Sequence, residues 1–379
     1  MSSLISHTQL QNAQRILYMT HLAIGDFVYQ SVWLKALKAK YPHLVIDVWF
    51  DDCRSRPQSW ATGRNKVLNE WIDSLGIIDK TYPIVGDLAQ RQGYISQAQS
   101  LNYDLIVFIG KNRSEQFAKI ARKISTSAFV VASKSKPLSN PIAKWLYFNN
   151  INAYFSYDDM VKSSQHITDL YAQCFERALG LTCGDLVDGQ KQLVFHVDAI
   201  YQQQACTLIN KLTANDTNKL VVFVNHLSTA DKRDYPFAQL KQVILTLELQ
   251  YQNLVYIFNC PPDKLNEVTT QVAEDSELNH LAITTFTAKQ NFFQLPALIA
   301  QSDIVISAET ATAHLAVCMD KPQVTIMSND LTLWQPKGDS IILTGSGQAK
   351  SITPQQIVDA FTQQLKQHYS GTPKLAERL

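Results

Sequence analysis

The sequence predicts an α/β protein built from two doubly wound domains. Apolar runs of strand length alternate with segments of helical periodicity in both halves of the chain, which is typical of repeated βαβ units. The connections are short, and a strand–helix–strand unit of this kind implies parallel strands with a right-handed crossover. The chain has 379 residues, which is enough for two domains of ordinary size.

The first half begins with the clearest βαβ unit. A strand at residues 15–19 leads through a turn into a helix at residues 27–40, and a further strand at residues 44–50 follows Tyr41 and Pro42. Further strands of this half are expected at residues 103–110 and 129–132. Further helices are expected at residues 67–75 and 114–123.

The second half repeats the alternation. Strands are expected at residues 220–225, 254–259, 281–286, 303–307 and 323–327. Helices are expected at residues 236–250, 264–274, 291–300, 313–319 and 353–368. Because turn-forming residues crowd positions 180–197, we place the first domain at 1–188, the second at 189–352, and a C-terminal helix and tail at 353–379.

Composition excludes several functional classes. Hydrophobic residues make up 46% and charged residues 18% of the chain, as in ordinary well-packed proteins. The formal net charge of +1 gives no general attraction to nucleic acid, so any anionic substrate must meet local basic clusters. The six scattered cysteines include no C-x-x-C pair, which argues against a zinc site or a disulfide framework and fits a reducing cytosol.

The chain shows no signal peptide and no membrane-spanning segment in its sequence pattern. The N-terminus lacks a charged region followed by an apolar core, and no apolar run approaches the ~20 residues that a spanning helix needs. We therefore expect a cytoplasmic protein. Residues 134–147 mix lysines with Trp145 and Tyr147, and one interpretation is a peripheral contact with a membrane surface.

Residues 303–327 carry the most specific pattern, DIVISAETATAHLAVCMDKPQVTIM. They predict a strand, a polar turn, a short apolar helix and a second strand. Thr310 or Thr312 is a suitable N-cap, because its hydroxyl can accept from the free N–H groups of the first helical turn. A helix N-terminus at the carboxyl end of a parallel strand is a common phosphate site, so the segment indicates a nucleotide or another phosphorylated ligand.

Gly25 and Asp26 occupy the corresponding place in the first half, between the first strand and the first helix. Gly25 suits a tight turn, and Asp26 is expected at or near the helix N-terminus. An ordinary N-capping aspartate is the more common role at such a position, and a general base is the alternative. The loop lacks G-x-G-x-x-G, which argues against a dinucleotide-dependent dehydrogenase.

Charged side chains in other loops have two interpretations each. The loop at residues 225–236 carries Ser228, Lys232 and Arg233, and either cation could neutralise a diphosphate or simply be solvated. Five cations of the first half could serve solubility or bind an anionic acceptor or lipid headgroups: Arg54, Arg56, Arg64, Lys66 and Arg113. The doublet Asp51–Asp52 resembles a metal-binding pair, but acidic doublets are common, and we expect a surface turn and no metal.

Together these segments resemble glycosyltransferase family 9, the heptosyltransferases that build the inner core of bacterial lipopolysaccharide. The resemblance rests on the strand–turn–helix around Asp26, the Lys-Arg-Asp-Tyr-Pro loop at residues 232–236, and residues 303–327, which are similar to the family's D-x-x-I-x-x-D-[ST]-G-x-x-H-[LI]-A-x-A…K-P pattern. It implies a GT-B fold, in which two Rossmann-like domains face an interdomain cleft. It also implies inverting transfer of a sugar, usually heptose from an ADP-linked donor, without a metal or cofactor.

The resemblance also implies roles for individual residues. The family's catalytic base falls on Asp26, and its phosphate-binding lysine falls near Lys232, although the spacing to Tyr235 and Pro236 favours Arg233. In the last motif the acid falls on Glu309, the hydroxyl on Thr310 and the histidine on His314, which by itself would more often be a core residue. Thr312 and Ser228 complete the implied donor site.

Two positions depart from the family pattern. Glu309 replaces an aspartate and Ala311 replaces a glycine, so a different nucleotide sugar or a weakened activity is an alternative. The implied partners are a nucleotide-sugar donor and a lipid-linked or oligosaccharide acceptor, with contact at the cytoplasmic face of the inner membrane. The competing interpretation is a family member that binds a nucleotide or glycan without turning it over.

Overall fold

The computed structural model describes residues 2–135, 141–149, 151–186 and 196–372. The chain divides into two compact units, Met1–Gln192 and Leu193–Leu379. Within the described ranges, each unit contains one six-stranded parallel sheet with helices around it, which confirms the predicted α/β class. The predicted boundary at residues 188–189 lies outside the described residues.

The first unit winds around a sheet with the strand order β3-β2-β1-β4-β5-β6. Its strands are β1 Arg15–Thr20, β2 Val45–Trp49, β3 Ile78–Tyr82, β4 Leu105–Ile109, β5 Phe129–Lys134 and β6 Ala153–Ser156. Its helices are α1 His7–Asn12, α2 Ile24–Lys40, α3 Asn65–Ser74, α4 Leu88–Gln99, α5 Ser114–Ile124, α6 Pro141–Phe148, α7 Tyr157–Ser163 and α8 Ile167–Leu179. Short 3₁₀ helices cover Ser59–Arg64 and Cys183–Asp185.

The start of α2 differs from the prediction. The helix begins at Ile24, so Gly25 and Asp26 lie inside its first turn and do not form the expected tight turn. Asp26 is the third helical residue, and its carboxylate accepts from the backbone N–H of Ala23 before the helix. That bond satisfies one of the donors that every helix leaves free at its N-terminus, which explains the earlier start.

The second unit has the strand order β12-β11-β10-β7-β8-β9. Its strands are β7 Leu220–Asn225, β8 Leu254–Asn259, β9 Ile283–Phe286, β10 Ile304–Ala308, β11 Gln323–Met327 and β12 Ser340–Thr344. Its helices are α9 Ala199–Thr213, α10 Phe237–Gln250, α11 Leu265–Glu274, α12 Gln294–Gln301, α13 Ala311–Cys318 and α14 Pro354–Tyr369. Short 3₁₀ helices cover Asp231–Arg233, Thr332–Trp334 and Ala349–Ser351.

The C-terminal helix α14 is part of the second unit's core. Its residues Ile357, Phe361 and Leu365 are fully buried in the same apolar cluster as strands β7, β10 and β11. Gln364 is also buried, where its side-chain amide donates to the backbone carbonyls of Gln323 and Asp339. The helix therefore covers one face of the sheet.

Each sheet has one place where the winding of the chain reverses, between β1 and β4 in the first unit and between β7 and β10 in the second. The paired strands end at the same level, since Thr20 lies opposite Ile109, and Asn225 lies opposite Ser307. The loops that leave a parallel sheet at such a reversal diverge and form the usual ligand crevice of doubly wound folds. Both predicted sites lie at these positions.

A buried carboxylate ties together the opposite end of the first sheet. Asp47 of β2 is fully buried and accepts two hydrogen bonds from Arg15 of β1, at 2.8 and 3.0 Å. It also accepts from the Tyr103 hydroxyl and from the backbone N–H of Lys80 at 3.0 Å. Arg15 has a second partner in Asp79, whose side chain is 53% exposed.

We expect Asp47→Ala to lower the free energy of unfolding by roughly 3–5 kcal/mol, because it removes the fully buried acceptor that Arg15, the Tyr103 hydroxyl and the Lys80 N–H share. Asp79→Ala is the matched control, and its loss should stay below about 1 kcal/mol because an exposed ion pair contributes little. Urea unfolding followed by tryptophan fluorescence measures both. Equal losses in the two variants would contradict a structural role for Asp47 in particular.

Candidate functional site

Asp26 lies at the reversal point of the first sheet, held by two neutral donors. Its Oδ2 accepts from the Ala23 N–H at 3.1 Å, and its Oδ1 accepts from the hydroxyl of Tyr171 on α8 at 3.0 Å. The role of an N-cap is thereby excluded, because the N-cap residue is Ala23. Each carboxylate oxygen has two lone pairs, so both oxygens keep one lone pair for a further proton.

Burial raises the pKa of Asp26 to about 6, while the Ala23 N–H, the Tyr171 hydroxyl and the nearby charge of Arg64 work in the opposite direction. No arginine or lysine makes a hydrogen bond to this carboxylate among the described residues. A group that titrates near neutrality and keeps free lone pairs can accept a proton from a substrate hydroxyl.

Three of the five predicted cations of the first unit gather beside Asp26. Arg54 binds the carboxylate of Asp52, and Arg113 donates to the backbone carbonyl of Asp52 at 3.0 Å. Arg64 donates to the carbonyl of Leu22 in the loop before α2. Burial and the charges of Arg54 and Arg113 lower the pKa of Arg64, which places the three guanidinium groups in one field. We call Arg54, Arg64 and Arg113 the arginine cluster.

The other two predicted cations, Arg56 and Lys66, are not part of that cluster. The Arg56 side chain is exposed. Lys66 is 59% exposed on α3 and pairs with Glu70 one helical turn away at 3.9 Å. Such a pair on a helix surface fits the solubility interpretation.

The acidic doublet is buried, so the expectation of a surface turn is wrong for Asp51 and Asp52. Asp51 is clamped by Arg91, whose guanidinium also donates to the carbonyl of Arg54. Asp52 is held by Arg54 and lies 3.6 Å from Arg113. Buried carboxylates need such partners, and here the partners fix the loop that carries Arg54.

Two residues that the sequence did not single out border the arginine cluster. His21 follows β1, and burial together with the charge of Arg113 lowers its pKa to about 4, so the imidazole is neutral near pH 7. Its buried Nε2 has no hydrogen-bond partner among the described residues. Trp60 is 69% exposed, and the Arg54 guanidinium lies 4.8 Å from its ring centroid.

Two side-chain amides and a hydroxyl form a series of hydrogen bonds at the reversal point of the second sheet. Thr310 is the N-cap of α13, where its side chain accepts from the N–H of Thr312 at 3.2 Å. The side chain of Asn225, at the end of β7, donates to the Thr310 hydroxyl at 3.0 Å. The side-chain amide of Asn259, at the end of β8, donates to the Asn225 carbonyl oxygen at 2.8 Å. Asn225 is therefore a site residue that the sequence analysis missed.

Glu309 and Ala311 flank this cap. Glu309 directly follows β10 and is half-buried. Its carboxylate lies 3.3 Å from the hydroxyl of Ser328, which directly follows β11. Ala311 is the first residue of α13 and is half-buried. The other members of the segment are buried: Thr312 lies in the first turn, and the His314 ring packs edge-on against Trp334 at 6.2 Å between centroids.

The loop after β7 is ordered by its own hydrogen bonds. Asp234 accepts from the N–H of Ser228 at 2.6 Å, and the Ser228 hydroxyl donates to the carbonyl of Ala230. Lys232 and Arg233 lie in the 3₁₀ helix Asp231–Arg233. Lys232 is exposed, and Arg233 is half-buried and donates to the Thr229 hydroxyl at 3.3 Å.

No cluster of three or more His, Cys, Asp or Glu residues suited to a metal ion occurs in the described part of the chain. All six cysteines are free thiols. No helix in the described ranges is long and apolar enough to cross a membrane.

Comparison with known proteins gives one family match. The family described as glycosyltransferase family 9 (heptosyltransferase) matches residues 145–361, which is more than half of the chain. The matched range includes the loop after β7 and the Thr310 cap, whereas Asp26 and the arginine cluster lie before it. Among curated proteins, no sequence matches this chain.

Solved structures with the same fold cover nearly the whole chain. A family 9 glycosyl transferase from Veillonella parvula has a TM-score of 0.66 at 16% identity and covers 93% of this chain and 98% of its own. ADP-heptose lps heptosyltransferase II of E. coli has a TM-score of 0.66 at 12% identity, covering 94% and 100%. E. coli heptosyltransferase WaaC with ADP-2-deoxy-2-fluoro heptose has a TM-score of 0.58 at 15% identity, covering 92% and 99%. These similarities confirm the predicted GT-B fold.

We expect Thr310→Val to lower the free energy of unfolding by about 1 kcal/mol through loss of the N-cap, with a further cost because the Asn225 amide loses its acceptor. Thr310→Ser keeps the hydroxyl and should stay close to the wild type. Urea unfolding of the three proteins measures the difference. If valine and serine behaved alike, the capping role of this hydroxyl would be refuted.

Proposed function

The chain belongs to glycosyltransferase family 9 (heptosyltransferase), and from this premise we propose an inverting, metal-independent transfer in which Asp26 is the general base. The first unit would bind the acceptor and the second unit the nucleotide sugar. The observation that supports the proposal most directly is the Asp26 carboxylate, which is held by neutral donors beside an arginine cluster and titrates near neutrality.

Asp26 has the properties that the base step requires. During transfer, an acceptor hydroxyl attacks the anomeric carbon, the bond from that carbon to the diphosphate oxygen breaks, and the hydroxyl proton passes to the carboxylate. A base with a pKa near the working pH does this well, because it is ionised and still binds the proton strongly. Assistance of this kind contributes roughly 10²–10⁴-fold to the rate.

The arginine cluster supports an anionic acceptor. Arg54 and Arg113 share one carboxylate, Asp52, and Arg64 donates to the backbone carbonyl of Leu22, so positive charge is in excess. Guanidinium groups bind carboxylates and phosphates through paired hydrogen bonds. An inner-core lipopolysaccharide, which carries acidic sugars and phosphates, is the acceptor that we propose for this site.

Trp60 supports an oligosaccharide as that acceptor. Its ring is 69% exposed and is held by the Arg54 guanidinium. A flat aromatic face in contact with water can pack against the C–H face of a sugar ring while the neighbouring guanidinium binds its acidic groups. Arg56 and Lys66 would contribute only long-range attraction to the acceptor, since each is exposed outside the cluster.

The donor diphosphate is proposed to bind at the cap of α13. The N-terminus of α13 and the Thr310 hydroxyl lie at the carboxyl edge of the sheet, where a helix N-terminus attracts anions. As the glycosidic bond breaks, charge develops on the leaving diphosphate, and fixed dipoles at that place stabilise it. Lys232 and Arg233 follow the neighbouring strand and are the candidate cations, with Thr312 and Ser228 as further contacts.

The nature of the donor is inferred from relatives. One similar structure is named ADP-heptose lps heptosyltransferase II, and WaaC is described with ADP and with ADP-2-deoxy-2-fluoro heptose. We propose ADP-heptose for this chain on that basis. Glu309 extends one methylene further than the family's aspartate, and Ala311 adds a methyl group to the start of α13, so another nucleotide sugar is the alternative donor.

Contact with the cytoplasmic face of the inner membrane is proposed for α6. Its side chains Ile142, Trp145 and Leu146 are 66%, 63% and 52% exposed, and they lie at helical spacing on one side of the helix. Tryptophan beside aliphatic residues is typical of helices that lie in a membrane interface. Such contact would bring the enzyme to a lipid-linked acceptor.

We expect Asp26→Asn to reduce kcat for transfer from ADP-heptose to deacylated inner-core lipopolysaccharide by at least about 100-fold, because the amide keeps the shape and cannot accept the proton. Asp73→Asn, an exposed change on α3 of the same unit, is the control and should leave the rate unchanged. An Asp26→Asn protein that transfers sugar at the wild-type rate would refute the base assignment.

A second candidate function is a module that binds a nucleotide or glycan without turnover. The departures from the family pattern at Glu309 and Ala311 favour it, and activity measurements distinguish it from a transferase. A wild-type protein that is stabilised against heat by ADP and yet neither transfers nor hydrolyses a nucleotide sugar would support that alternative. Turnover that depends on Asp26 would exclude it.

The rate of transfer should depend on pH in a defined direction. Because burial raises the pKa of Asp26 to about 6 and only the ionised form is a base, kcat/KM should rise about tenfold per pH unit up to about pH 6 and then level off. A profile of kcat/KM from pH 4.5 to 8.5 measures this limb. An onset near pH 4, the ordinary range of an exposed aspartate, would contradict the proposed environment.

A further inference from the structure

A line of buried polar side chains ends at Asp26. The Tyr18 hydroxyl on β1 donates to Gln30 Oε1 at 2.7 Å, and Gln30 Nε2 on α2 donates to the Tyr171 hydroxyl oxygen at 2.9 Å. The Tyr171 hydroxyl on α8 then donates to Asp26 Oδ1 at 3.0 Å. Tyr18, Gln30 and Tyr171 are each at most 3% exposed. Side chains from β1, α2 and α8 are therefore joined in one line that ends at a carboxylate oxygen.

The direction of these hydrogen bonds follows from the chemistry of the groups. The amide nitrogen of Gln30 can only donate, so the Tyr171 oxygen accepts that hydrogen bond and its own hydroxyl proton points to another acceptor. Burial and the charge of Asp26 raise the pKa of Tyr171 well above its ordinary value, so the phenol stays protonated. It donates that proton to the Asp26 carboxylate, at 3.0 Å.

Packing alone does not call for these polar atoms. The Tyr18 ring stacks on Phe175 with centroids 5.6 Å apart, and the Trp33 ring also stacks on Phe175 at the same centroid distance. In such surroundings, apolar side chains of the same shape would avoid the cost of burying two hydroxyls and an amide. The polar atoms instead form one hydrogen-bonded line that ends at Asp26, which favours a role for the line at that carboxylate.

We propose that Tyr171, oriented by Gln30 and Tyr18, is a positioning residue that fixes the ionised carboxylate of Asp26 for proton abstraction. The inference rests on the proposed role of Asp26 as the base. A hydrogen bond from a neutral phenol favours the charged carboxylate without neutralising it. It also sets the rotation of the carboxylate, so that the remaining lone pairs keep one direction.

Other groups also shift the pKa of the Asp26 carboxylate, and the effect of Tyr171 adds to theirs. The Ala23 N–H and the charge of Arg64, from the 3₁₀ helix, also favour ionisation, and burial opposes it. Tyr157 on α7 and Tyr18 on β1 are the other titratable groups in its field, and burial keeps both protonated by raising their pKa values. Without Tyr171 the carboxylate would keep one hydrogen bond and the distant arginine charge.

The test is the pH profile of Tyr171→Phe. Loss of a hydrogen bond to the charged form should move the acid limb of kcat/KM upward by about one pH unit, which is roughly a tenfold lower rate below pH 6. The acceptor KM should stay near the wild-type value, because the hydroxyl touches the base and not the substrate. Tyr41→Phe is the matched control, since its buried hydroxyl bonds His7 at a different place in the unit.

Gln30→Met provides a second variant that keeps the phenol next to Asp26. It should shift the limb in the same direction by a smaller amount, because Tyr171 loses the donor that orients it. If Tyr171→Phe does not fold, the pH profile of Gln30→Met tests the positioning role. Profiles that coincide with the wild type, or losses that are equal at every pH, would overturn the positioning role.

A titration that needs no turnover separates this inference from the proposed function. The carboxyl carbon of Asp26 can be followed by ¹³C NMR in protein labelled at aspartate, with the signal assigned by its absence in Asp26→Asn. An upward shift in Tyr171→Phe together with an active Asp26→Asn would refute the base and leave the hydrogen bond real but without a catalytic role. An inactive Asp26→Asn with an unshifted titration would refute the positioning role alone.

Discussion

The parallel pairing of β1 with β4, and of β7 with β10, determines where the central candidate site residues lie. Strands of a doubly wound sheet are buried on both faces, so polar side chains are excluded from most of their length. They collect at the carboxyl edge, where the loops diverge around the winding reversal. His21 and Asp26 follow β1, Arg113 follows β4, Asn225 follows β7 and Thr310 follows β10, which is why residues distant in sequence meet there.

Much of this arrangement was visible in the sequence, and the rest could not be. The alternation of apolar runs located most strands of both sheets, and the hydroxyls after β10 indicated the cap that Thr310 provides. Hydrogen bonds between distant residues leave no local pattern: Tyr171 is 145 residues from Asp26, and Thr310 is 85 residues from Asn225. The edge strand β3, with the sequence IDKTY, was not predicted, because its partly exposed residues form no apolar run.

The buried aspartates of the first unit show how partners decide function. Asp47, Asp51 and Asp52 each pair with an arginine, and these pairs anchor the sheet and the loop of Arg54. Asp26 is bonded by a backbone N–H and a phenol, so burial is not offset by a contact ion pair. The acidic doublet attracted attention in the sequence, but its guanidinium partners occupy the oxygens that a metal or a proton would need.

The two units share one topology and differ in the chemistry at the reversal point. Both sheets follow the same order when each is numbered from its own first strand. In the first unit the edge holds a carboxylate and guanidinium groups, which suit proton abstraction from an anionic acceptor. In the second it holds amides, a hydroxyl and helix N–H groups, which stabilise negative charge without taking a proton. Since the backbone frame is the same, in the proposed function the loop residues would assign the attacking oxygen to the first unit and the departing diphosphate to the second. Under the same proposal, a change of donor specificity would need a change only at the α13 cap, where Glu309 and Ala311 lie, and would leave Asp26 and its hydrogen-bonded line in the other unit untouched.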